Sequence, residues 1–144
     1  SIDSVYFKKP SGGTNEGTAL ARTAQEFLAS SPKKNRKVIL TMGDGCSSQN
    51  EIQKSVKMIR KAGMEVYDIL IDGNYKLACE SYGAGKAVTI ASSYWTRECS
   101  SIDFDNIGIT ENTEQDEVIQ SQVITILRPW LAQIFSRMQF MGSI

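Results

Sequence analysis

At 144 residues, 41% of them apolar, the chain can build one domain with a true core and is too short for two. Sixteen basic and sixteen acidic residues cancel and the isoelectric point is near 6.3, which gives no electrostatic case for nucleic acid or for an anionic membrane. There is no histidine, so Ser-His-Asp and Cys-His catalysis, His-ligated zinc and zinc-deaminase chemistry are excluded within the chain.

No apolar stretch approaches the ~20 residues a bilayer span requires, and a soluble, cytoplasmic protein is expected. Cys46, Cys79 and Cys99 are odd in number and share no CxxC spacing, which argues for reduced thiols over a disulfide framework or a structural zinc. The chain starts at Ser1 without an initiator methionine. It therefore reads as a fragment or a processed product, and that start is compatible with a removed targeting segment.

In chain order, residues 2–7 (IDSVYF) read as a short strand or extended lead-in. A helix is predicted from Thr14 or Asn15 to about Ala29, with either residue as cap and Ala19, Leu20, Ala24, Phe27 and Leu28 on one face. Lys33-Lys34-Asn35-Arg36-Lys37 is a basic loop of the kind that is ordinarily solvated surface. Val38–Met42 is a continuous apolar run that stops at Gly43-Asp44-Gly45, the pattern of a buried parallel strand with a loop at its carboxyl end.

A second helix carries Ile52, Val56, Ile59 and Ala62, capped by Ser47, Ser48 or Asn50 and stopped by Gly63. Glu65–Ile71 is the next strand, Tyr75–Tyr82 a short helix, and Ala87–Ala91 a third strong strand. Residues 93–116 read as an irregular connection. Residues 117–139 read as a terminal amphipathic helix that Pro129 should kink or split. The alternation predicts an α/β fold, a Rossmann-like three-layer sandwich with a parallel sheet and helices on both faces.

In such sheets ligands gather beyond the carboxyl ends of the strands. Asp44 and Asp72 fall there, and Thr14 heads the helix before the first strong strand. A carboxylate, a threonine hydroxyl and water suit Mg²⁺ or Mn²⁺, which prefer oxygen ligands. The same residues equally suit a plain Asp-Gly turn and a plain helix cap. Gly83-Ala84-Gly85-Lys86 lacks the spacing and the hydroxyl of a phosphate loop and precedes a strand. Gly12–Gly17 has no strong strand before it, and Cys46 sits on a strand-to-helix turn with no histidine to activate it.

SGGTNEGTAL (11–20), then VILTMGDG (38–45), then a helix ending in AGMEVYDILIDG (62–73) together resemble the second half of a von Willebrand factor A domain. The resemblance covers roughly residues 10–92 and adds a terminal helix in the expected place. It implies a metal-ion-dependent adhesion site in which Thr14 and Asp44 hold Mg²⁺ or Mn²⁺ while an acidic residue of a protein partner completes the coordination. The Asp-x-Ser-x-Ser element of that family is missing, because Asp3-Ser4-Val5-Tyr6 does not fit it. Gly43 also stands where the family often has a hydroxyl residue.

The resemblance therefore implies that 1–144 is the carboxyl-terminal part of a longer chain, or that a second chain completes the sheet. It also implies an open apolar edge beside the strand ending at Met42. The expected function is a non-enzymatic protein-binding module, a subunit working beside a metal chelatase among its forms. The alternatives are a Mg²⁺-dependent phosphotransferase or hydrolase using Asp44 and Asp72, and a metal-free assembly subunit.

Overall fold

In the computed structural model the described residues are 4–8, 16–30, 36–44 and 49–143, with side chains described for 16–30, 36–44 and 49–136. Four strands, β1 (Ser4–Lys8), β2 (Lys37–Gly43), β3 (Glu65–Ile71) and β4 (Ala87–Ile90), form one sheet in the order β1-β2-β3-β4. Every pairing is parallel, with Val5 opposite Val38, Ile39 opposite Val66 and Leu70 opposite Thr89. Helices α1 (Glu16–Ser30), α2 (Gln49–Lys61) and α3 (Tyr75–Tyr82) are the crossovers.

The strand order runs in one direction, and crossovers between parallel strands are right-handed in nearly all proteins. Successive crossovers must then fall on the same face. One apolar cluster shows this, joining Leu20, Ala24 and Phe27 of α1, Ile52, Val56 and Ile59 of α2, and Ala78 and Tyr82 of α3 to Ile39, Val66 and Leu70 of the sheet. The opposite face, with Val38, Leu40 and Tyr67, needs another cover. Ile134 supplies it, with Trp130, Leu131 and Phe135 packed alongside. Burial from both sides explains why residues 37–41 and 66–70 are all buried, and why both strands read as continuous runs in the sequence.

Those covering residues belong to α5 (Arg128–Ser143), which follows α4 (Gln115–Gln122) through a wide turn at Val123–Leu127. There the Arg128 N–H bonds the Val123 carbonyl five residues back. Pro129 has no N–H to continue an α-helical ladder, and just before it the helix widens into this turn without breaking, its flanking residues Gln122, Val123 and Arg128 all keeping helical backbone. Trp130 meets Tyr67 edge to face at 5.8 Å and donates to the Gly85 carbonyl at 3.0 Å, which fastens α5 to the loop before β4.

The open edge expected beside Met42 is not open, because β1 occupies it from Ser4↔Lys37 to Lys8↔Thr41. The lead-in has strand character and the neighbouring edge offers unpaired backbone groups, so the two satisfy each other. Asn50 does not cap α2 but lies inside its first turn, while Ser47 and Ser48 fall outside the described residues.

The far edge, β4, is closed by side chains. The Gln122 amide accepts from the Ala91 N–H at 2.8 Å and donates to the Ala91 carbonyl at 2.7 Å. The Ser101 hydroxyl takes the Thr89 N–H at 2.8 Å and the Ser101 N–H reaches the Thr89 carbonyl at 3.0 Å. These bonds stand in for a fifth strand and blunt the edge. The stretch 93–116 contains two 3₁₀ turns, Tyr94–Cys99 and Phe104–Ile107, and its Phe104 and Ile109 form a small core with Ala91 and Val118 on either side of it in sequence. No helix among the described residues is long and apolar enough to cross a membrane.

Candidate functional site

Asp44 directly follows β2 at the carboxyl end of the sheet and is exposed. The loop after β3 passes close to it: a Cβ on Gly73 would stand 2.9 Å from the Asp44 carbonyl oxygen and 2.4 Å from Cδ2 of Leu70. Only glycine permits this approach, so Gly73 fixes how β2 and β3 present their ends.

Glu16 opens α1 and brings a second carboxylate to the same place. Its Oε1 lies 3.7 Å from where a Gly43 Cβ would sit, next to Asp44 in sequence. The first turn of α1 is held there by α2. Gly17 packs on Glu51 so tightly that a Cβ would come within 2.7 Å of the Glu51 carbonyl carbon, and Ser55 donates to the Gly17 carbonyl at 2.6 Å. Thr14 lies outside the described residues, as does Cys46; Thr14 precedes Glu16 by two positions in sequence. No group of three or more His, Cys, Asp or Glu among the described residues is placed to hold a metal ion.

The Asp72 carboxylate is engaged by the loop after β4. The residue adopts a left-handed backbone (φ 57°) and accepts from the Ser92 N–H at 2.8 Å and the Ser92 hydroxyl at 2.5 Å. Burial pushes its carboxyl up, but the Ser92 hydroxyl, the Ser92 N–H and the Thr96 hydroxyl outweigh this and leave it below its ordinary value. Its bonding thus ties the end of β3 to the loop after β4. Tyr94 on that loop packs on Phe104 and stacks under the Arg97 guanidinium at 4.3 Å, while Trp95 stands 69% exposed.

Beneath this edge lies a polar cluster that the sequence reading does not single out. Asp68, in the middle of β3, is 4% exposed. The Thr41 hydroxyl lies 2.6 Å from its Oδ1 and 3.2 Å from the Tyr67 carbonyl, with the Tyr82 hydroxyl at 3.5 Å. Burial, partly offset by Thr41 and reinforced by the charge of Glu16, pushes the Asp68 carboxyl up to about 7. Burial and the charge of Asp68 push the Tyr82 phenol up as well. Asp68, Glu16, Gln49, Asn74, Ser81 and Tyr82 line a cavity of about 10 Å³, the room of a single water. The signal was present in the sequence: EVYDILI sets one carboxylate inside an otherwise apolar strand.

Comparison with protein-family models finds no match for this chain, and comparison with curated proteins finds none either.

Proposed function

We propose that the chain is a non-enzymatic protein-binding module of the von Willebrand A type. Thr14 and Asp44 form part of a site for Mg²⁺ or Mn²⁺, and a partner's acidic residue completes the coordination. The observation that supports this most is the meeting of Glu16 with Gly43: the helix that follows Gly12-Gly13-Thr14 in sequence begins beside the end of the strand that Asp44 follows. The oxygen-only donor set suits a hard cation. Two ligands without an Asp-x-Ser-x-Ser donor leave the cation under-neutralised, which favours an incoming carboxylate.

What supports reading the fold as Rossmann-like, of the von Willebrand A kind, is a parallel sheet covered by α1, α2 and α3 on one face and by α5 on the other. The enzyme reading, with Asp44 and Asp72 sharing one Mg²⁺, is weakened by the commitment of the Asp72 carboxylate to Ser92. Titration calorimetry with Mg²⁺ and Mn²⁺ tests the proposal. Weak binding is expected in the native chain, strengthened by an added acidic peptide and lost in Asp44→Ala. Unchanged binding in Asp44→Ala removes Asp44 from the site.

A further inference from the structure

We infer that Asp68 is a proton-operated switch: with its proton it shares the cavity under the sheet edge with Glu16, and without it the Glu16 carboxylate is driven out of that cavity. The inference stands on what faces Asp68 from each packed element. Glu16 comes from α1, Thr41 from β2, Gln49 from α2, and Ser81 and Tyr82 from α3. Every one of these is acidic or neutral. The cavity lining includes no lysine or arginine among the described residues, and Arg60, on α2, is bonded to the Tyr82 carbonyl.

A carboxylate this buried needs a cation, several donors or its own proton. Its donors are the Thr41 hydroxyl and the Ile69 N–H. In the acid form, Asp68 can donate to Thr41, and the single Thr41 proton is then free to reach the Tyr67 carbonyl at 3.2 Å. When Asp68 loses its proton to solvent, Thr41 must turn back to it and the Tyr67 bond is given up. Two negative carboxylates then face a space for one water, where repulsion is poorly screened. Asp68 is fixed within the sheet, whereas Glu16 is half-buried and carries its carboxylate on a longer, more flexible side chain at the start of α1. Glu16 is the group that yields.

The chain has no histidine, so no other side chain has an ordinary titration between the carboxylate range and the thiols. An α-amino group ordinarily titrates at about 7.7–8.0, so the Asp68 response is read at a carboxyl carbon. The test follows carboxyl-carbon and backbone-amide NMR signals of the full chain from pH 5.5 to 8.5. One carboxyl should titrate near neutrality, and the amides of residues 16–20 should move with the same midpoint. In Asp68→Asn those amides should stay still; in Glu16→Gln the Asp68 midpoint should shift to lower pH, a readout that serves even where Asp68→Asn does not fold. The inference is overturned by the absence of any carboxyl titrating above pH 5.5, by the same amide movement in Asp68→Asn, or by an unmoved midpoint in Glu16→Gln.

Discussion

The hydroxyl of Thr41 lies 2.6 Å from Oδ1 of Asp68, so side chains of β2 and β3 are bonded to each other on the face covered by α1, α2 and α3. Thr41→Val keeps the shape and removes the donor. A buried polar group left short of a partner costs roughly 1–3 kcal/mol. Because the donor favours the ionised form of Asp68, the loss should be greater at pH 8 than at pH 5.5. Urea unfolding at the two pH values measures both effects.

The stability of the native chain should fall as pH rises toward neutrality. Asp68 titrates near 3.8 when unfolded and is pushed up to about 7 when folded. Between those values the folded state holds the extra proton, so its stabilisation is complete below the lower value and is lost as pH rises to the upper one. The whole span is on the order of 4 kcal/mol, and the part between pH 5.5 and 7.5, clear of ordinary carboxylates, is about 2 kcal/mol. Unfolding midpoints should therefore drop across that window in the native chain and stay level in Asp68→Asn.

Gly73→Ala should damage both the fold and the presentation of Asp44. The new methyl meets Leu70 and the Asp44 carbonyl at distances that real side chains do not tolerate, and the backbone oxygen cannot swing aside. Overpacking of this kind costs typically 1–3 kcal/mol. A lowered melting temperature with shifted Asp44 and Gly43 amide signals is expected. Gly63→Ala is a control for the left-handed backbone alone, since nothing lies within 4 Å of its Cβ position.

Gln122→Leu should open the β4 edge. Gln122 is fully buried and serves both the N–H and the carbonyl of Ala91. Leucine leaves two buried backbone groups unpaired, at roughly 1–3 kcal/mol each. Light scattering should report self-association of the variant at concentrations where the native chain stays dispersed.

Much of this architecture was legible in the residues. Val38–Met42 and Glu65–Ile71 are buried from both sides, and continuous apolar runs are what such burial requires. Pro129 marks the wide turn before α5 through its missing N–H. The partner of β2 was not legible, because β1 lies far from a strong hydrophobic pattern and is set by pairing with Lys37–Thr41. At the site, Asp44 could be placed at a strand end from its glycines alone. Glu16 carries no local signal of a site, and its meeting with Gly43 accompanies the packing of Gly17 against Glu51, a long-range contact that local pattern does not carry.

We propose a divalent cation at the end of β2, beside the start of α1, and Mn²⁺ added in small steps to the ¹⁵N-labelled chain is the sharpest test of it, since the ion broadens the signals of nearby amides. Glu16, Gly43 and Asp44 should broaden first, and Asp44→Ala should abolish the effect. Broadening that begins instead at the exposed acids Asp103 and Asp105, or that is unchanged in Asp44→Ala, would contradict the proposal.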